Sequence, residues 1–257
     1  MMRYKLVAAM LLPTLLLTGC GGGGETRRST SNSANLTGLW RMQLTTAQNS
    51  MTAESNVSFH ITESASGLNM VACDNRDQVK LQKAATGIDG LPVGTMKIVN
   101  NDTMTAKNEL GTSKATKMAT TAKFDMGTLQ LSASQLGTQN FTDLCVQSSD
   151  ARVLGVATQD NYSATTLYNG KPLLFDILVI GNLGVGTYKL SSTPAVGEAT
   201  LRLQGDGLKT PLNRTEMSFE KGTLTITDDT AVWLKGNFSA TMPNGSPLTG
   251  SFSFEKP

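Results

Sequence analysis

Histidine occurs once in this 257-residue sequence, at His60, and cysteine three times, at Cys20, Cys73 and Cys145. With one imidazole and no Gly-x-Ser-x-Gly motif, a serine triad lacks its base and its nucleophile elbow. Zinc chemistry lacks ligands too, because neither Cys73 nor Cys145 sits in a Cys-x-x-Cys pair and His60 is isolated in a strand-like run. No cofactor motif, metal set or catalytic set is expected. Long apolar runs are also missing except near the start. Residues 6 to 17 form an apolar stretch that would span roughly 18 Å as a helix, short of a hydrocarbon core about 30 Å thick.

That stretch follows Arg3 and Lys5 and ends in Leu17-Thr18-Gly19-Cys20. A positive start, an apolar middle and small residues before a cysteine describe a cleaved export signal. The pattern resembles the signal peptide of bacterial lipoproteins, which implies that residues 1–19 are removed and Cys20 is lipidated. Multiple acyl chains would then hold the protein firmly, at about 0.8 kcal/mol per buried methylene. Gly21 stands where retained inner-membrane lipoproteins of enterobacteria carry aspartate, so the resemblance implies the outer membrane.

Residues 20–35 read as lipidated cysteine plus tether, with four glycines, Ser, Thr and Asn, and no apolar side chain larger than alanine after Cys20. Fifteen such residues reach roughly 20 Å. The glycine run is similar to the start of surface lipoproteins of the transferrin-binding and factor-H-binding families. Removing Arg3 and Lys5 with the signal leaves 20 basic residues against 20 acidic ones. A neutral chain with dispersed signs gives no electrostatic reason to expect nucleic acid or an acidic membrane patch as partner. Cys73 and Cys145 remain as an even pair in an exported chain and are expected to bond.

From Leu36 onward, short alternating apolar and polar runs broken by Gly, Asn, Asp and Pro indicate strands. Examples are Val57-Ser58-Phe59-His60-Ile61, Leu129-Gln130-Leu131 and Leu201-Arg202-Leu203. Residues 222–254 read as an antiparallel meander with turns at Asp228-Asp229 and at 243–247. Residues 107–118 admit a short helix as an alternative. The expected fold is all-β, with two antiparallel β domains, barrel-like or sandwich, at 36–150 and 151–257.

Gly38-Leu39-Trp40 on a first strand, followed by about seven more strand-like runs, resembles lipocalin-like barrels. The resemblance implies that Trp40 closes one end of a barrel whose interior takes a small apolar ligand; the plainer reading makes Trp40 one core aromatic of an ordinary sheet. In the second half, Gly186-Thr187-Tyr188 precedes Gly236-Asn237-Phe238 and Gly250-Ser251-Phe252. This looks like the β-rich domains of uncharacterised bacterial lipoproteins and implies a fold without an activity. Phe238 and Phe252 are expected to pack in register across a hairpin.

Asp74 and Asp77 flank Cys73, and Asp143 and Asp150 flank Cys145, so a disulfide would gather four aspartates. Such a group suits calcium or a glycosidase pair, while the plainer reading makes them turn residues. Asn-x-Ser/Thr sequons, among them those at Asn35, Asn56, Asn140, Asn161, Asn213 and Asn237, follow from a Ser/Thr/Asn-rich chain. The nine methionines after the signal are expected as core filling. Together these features point to a lipid-anchored, non-enzymatic binding or interaction module of the cell envelope. Its expected partners are the bilayer through Cys20 and an envelope or extracellular protein. The alternatives are a small apolar ligand binder and an aspartate-dependent hydrolase.

Overall fold

A computed structural model describes residues 34–48, 51–84, 87–91, 94–108 and 111–257. The expected signal peptide 1–19, the expected lipidation site Cys20 and residues 21–33 of the expected tether lie outside the described residues. The described chain is all-β, with helix confined to one 3-10 turn at Asp206–Leu208 and one α-turn at Lys209–Leu212.

Eight strands open the fold: β1 (Gly38–Gln48), β2 (Met51–Ser64), β3 (Gly67–Ala72), β4 (Gln78–Lys83), β5 (Gly87–Leu91), β6 (Gly94–Asn100), β7 (Thr103–Asn108) and β8 (Gly111–Ala119). Each pairs antiparallel with the next, and β8 returns to β1, closing an up-and-down barrel. Alternation decides which side chains turn inward. Trp40 and Met42 from β1 meet Phe59, Ile61, Met70, Met96 and Met104 in one buried cluster. An eight-strand barrel is just wide enough for its own side chains to fill. Flexible methionines suit the irregular gaps that remain. The Trp40 indole donates to the Leu36 carbonyl at 2.8 Å, so Leu36, two residues before the first strand, is pinned against the barrel core. Residues 111–118 are strand rather than helix, because Ser113 and Ala115 are buried while Lys114 and Thr116 are exposed, a period of two.

Eleven further strands follow: β9 (Gly127–Ala133), β10 (Gly137–Phe141), β11 (Cys145–Val153), β12 (Val156–Tyr168), β13 (Lys171–Val179), β14 (Gly186–Leu190), β15 (Glu198–Gln204), β16 (Glu216–Ser218), β17 (Gly222–Asp229), β18 (Trp233–Thr241) and β19 (Pro247–Glu255). Their order in space is β10-β9-β19-β18-β17-β14-β15-β13-β12-β11, with β16 on the β15 edge. Among the described strands only β14 and β15 run parallel, over Lys189↔Glu198 and Leu190↔Ala199, and Ile180↔Val196 is an isolated parallel bridge. Residues 222–255 are the expected antiparallel meander. Its first turn lies later than Asp228-Asp229, which belong to β17 and pair with Lys235 and Leu234.

The sheet closes over one core in which Phe175 of β13 faces Phe238, Phe252 and Phe254 at ring distances of 5.4, 5.8 and 6.0 Å. Phe238 and Phe252 are not opposite each other. Phe238 pairs with Gly250 and Phe252 with Gly236, so each ring lies across from a glycine.

Barrel and sheet share a strand. Along Met51 to Asn56, β2 pairs with β1 on one side and with β11 on the other. From Phe59 onward β3 takes the place of β11. At the changeover Ser58 is buried, and its hydroxyl donates to the Val146 carbonyl at 3.0 Å. Residues 148–155 thus lie within the β11–β12 hairpin, and β9, which precedes them, pairs with β10 on one side and with the last strand, β19, on the other. Contacts join Ala34 to Pro257 into one unit.

Candidate functional site

The chemistry-bearing residues of the sequence meet where barrel and sheet join. Cys73, just after β3, and Cys145, at the start of β11, form a disulfide with Cα atoms 5.5 Å apart, and both are fully buried. The separation of 72 residues corresponds to about 4 kcal/mol of chain-entropy stabilisation.

The loop after Cys73 is shaped by its own polar side chains. The Asn75 amide nitrogen donates to Asp74 Oδ1 at 2.8 Å, and the Asp77 amide nitrogen donates to Asn75 Oδ1 at 2.9 Å. Asn75 Nδ2 in turn donates to Asp77 Oδ2 at 2.7 Å. This turn holds Arg76 at φ 59°, a left-handed conformation that is uncommon for a side chain of its size. The consequence is that the guanidinium points into the junction.

Arg76 there binds four oxygens, the most distant being Asp143 Oδ2 at 3.5 Å from Nη1. Nη1 donates to Asp143 Oδ1 at 3.2 Å, and Nη2 donates to the carbonyls of Asp143 at 3.0 Å and Thr165 at 2.8 Å. One face of the fork lies 4.3 Å from the Phe124 ring centre, a cation–π arrangement. His60 of β2 meets the same ring edge-on, with centroids 4.7 Å apart. A single side chain therefore ties the β3–β4 loop, the residues before β11 and strand β12 together, with Phe124 as its platform.

These residues line a cleft of about 490 Å³ that also includes Lys123, Asp125 and Thr142. His60 Nδ1 and Arg76 Nε have no hydrogen-bond partner and are sealed from solvent. Burial, and next the Arg76 charge, push the His60 pKa below its ordinary value, with Asp143 pulling weakly the other way. His60 is thus held neutral. Burial also lowers the Arg76 pKa, against the attraction of Asp143.

The four aspartates do not assemble. Asp143 binds Arg76, while Asp74 and Asp77 shape their own loop. Asp150 accepts from Arg152 Nε at 2.7 Å and from the Glu54 amide at 3.3 Å. Among the described residues no three His, Cys, Asp or Glu side chains are placed to hold a metal ion. Asp228 and Asp229 pair with Lys235 and Lys256. Trp40 lies inside the barrel as a core residue. Arg76 and Phe124, the centre of the junction, were not singled out by the sequence reading; the only signal is the Asp-Asn-Arg-Asp turn beside a cysteine. Comparison with protein-family models, curated proteins and solved structures finds no match to the chain.

Proposed function

We propose that the protein is a lipid-anchored lipoprotein of the cell envelope, at the outer membrane, and acts as a non-enzymatic binding module. The observation that carries the reading is the use made of the gathered polar groups. Arg76 and Asp143 are committed to each other and to backbone carbonyls that hold the junction closed. The barrel interior is committed in the same way, since Trp40, Met42, Phe59, Met96 and Met104 occupy it. Such a body has its outer surfaces left for recognition. The Leu17-Thr18-Gly19-Cys20 ending and the Gly/Ser-rich residues after it support an anchored position at the end of a tether. The filled interior speaks against a small apolar ligand inside the barrel.

The test is a pull-down from intact cells with the full-length chain as bait and Cys20→Ala as control, read by mass spectrometry. A molecule retained by the lipidated chain after washing, and membrane release of the Cys20→Ala chain, is the expected result. Substrate turnover by the purified chain that one point substitution abolishes without unfolding it would overturn the reading.

A further inference from the structure

The chain beyond Cys20 is neutral overall, yet its strands separate the signs. β6, β7, β8 and β1 are consecutive around the barrel, and their sequences contain no Asp or Glu. Their outward positions carry Lys97, Lys107, Lys114 and Arg41. The nearest carboxylates in sequence, Asp102 and Glu109, fall between the strands.

Register interleaves these cations with hydroxyl and amide groups. Lys97 pairs with Thr105, Thr105 with Lys114, and Lys114 with Gln43. On either side run the rows Lys107–Thr112–Thr45 and Thr103–Thr116–Arg41. Two strand steps separate Lys97 from Lys114, roughly 10 Å. Lys97, Lys107 and Lys114 are exposed, and none has an ion pair or side-chain hydrogen bond among the described residues. At the β1 edge the face sinks into a cleft of about 360 Å³ lined by Arg41, Lys114, Gln43, Asn56 and Thr116, with Pro257 closing one side. Among the described residues no Asp or Glu side chain lines it, and Glu255 acts on Arg41 from outside the lining. Arg41 is held there by donating from Nη2 to the Lys256 carbonyl at 2.9 Å, and its Nε is buried without a partner.

We propose that this face and its cleft bind an anionic polysaccharide. The cations meet carboxylate or phosphate groups spaced along the polymer, and Thr, Gln and Asn between them meet sugar hydroxyls. The shape selects a polymer over a bilayer. Four strands are half the circumference of an eight-strand barrel, and a planar surface touches such a convex wall along a strip, leaving Lys97 and Arg41 out of reach together. A flexible chain follows the wall and sets one unit into the cleft. The inference rests on the binding-module reading and names its ligand class.

The experiment titrates the full-length chain, in a non-ionic detergent, with polygalacturonate, with neutral dextran and with phosphatidylglycerol vesicles. Polygalacturonate should bind, more weakly as salt rises, while dextran should not. The variant K97Q/K107Q/K114Q, altered only at exposed side chains, should bind polygalacturonate at least about tenfold more weakly. Absent binding, or binding unchanged in the variant, overturns the proposal. Vesicles bound as tightly, and lost equally in the variant, overturn it in favour of a lipid surface. If any of these results stands beside a specific partner in the pull-down, the ligand class fails while the binding-module reading survives.

Discussion

Phe238 on β18 lies directly across the strand pair from Gly250 on β19, and its ring occupies the space that a Cβ at Gly250 would need, 2.5 Å from Cζ. The relationship is reciprocal. A Cβ at Gly236 would stand 2.7 Å from Phe252 Cζ. The repeated Gly-x-Phe of the sequence is thus a pair of interlocked sockets: each strand supplies a ring and the gap for its neighbour's ring. Both rings then reach Phe175 across the core.

Replacing Gly250 by alanine should therefore destabilise the fold by overpacking, by about 1–3 kcal/mol. The methyl group meets the Gln130 carbonyl on one side and the Phe238 ring on the other, so neither the backbone nor the ring can yield freely. Urea denaturation reads the loss. Adding Phe238→Leu should recover part of it, and a Gly250→Ala chain as stable as the parent would refute the socket.

The strands were legible because alternation survives in a short window, as in Leu129-Gln130-Leu131 and Leu224-Thr225-Ile226, whose leucines and isoleucine are all buried. The disulfide was legible from cysteine arithmetic in a sequence read as exported. Pairing between distant segments was not. That β2 pairs with β11 depends on residues 92 apart, such as Asn56 and Ser148, and no local pattern encodes such a register. The Arg76 junction was hidden for the same reason, since its acceptors Asp143 and Thr165 lie 67 and 89 residues away. The basic barrel face was hidden by summing charge along the chain, because only the closure of β8 onto β1 sets Lys114 beside Gln43 and Thr116 beside Arg41.

Trp40 and Trp233 should differ in their optical behaviour. Trp40 is fully buried and bonded to the Leu36 carbonyl, whereas Trp233 is partly exposed with Lys235 near its ring. Acrylamide should quench Trp233 and spare Trp40, which comparison of Trp40→Phe with Trp233→Phe resolves. Trp40→Phe also removes the 2.8 Å bond, leaves space in the barrel floor and should cost about 1–3 kcal/mol.

Arg76 should resist conservative replacement. Lysine keeps the charge, but one ammonium cannot meet Asp143 Oδ1 and two carbonyls in the fork geometry, nor stack on Phe124. Arg76→Lys and Arg76→Leu should therefore lose similar stability, about 1–3 kcal/mol, because each removes the forked donor that joins Asp143 to the carbonyl of the buried Thr165. If lysine restored parental stability, the forked grip would contribute no more than its charge.

His60 should make stability depend on pH in a defined direction. Its pKa in the folded chain lies below the ordinary 6.5, because burial and the Arg76 charge oppose a second cation beside Phe124. Asp143 favours protonation but is already bound to Arg76. Between the two pKa values the unfolded chain binds more protons than the folded one, so stability rises with pH in that window. The contribution is complete above 6.5 and is lost as pH falls through the lower folded value. Other groups titrate on the acid side too, among them Asp160, whose carboxyl burial raises. The informative quantity is thus the difference between parent and His60→Gln in urea midpoint, followed from pH 7.5 down to about pH 5. The parent should lose stability relative to His60→Gln across that interval. A constant difference would mean that His60 titrates alike in the folded and unfolded chains, and that the charge of Arg76 does not reach it.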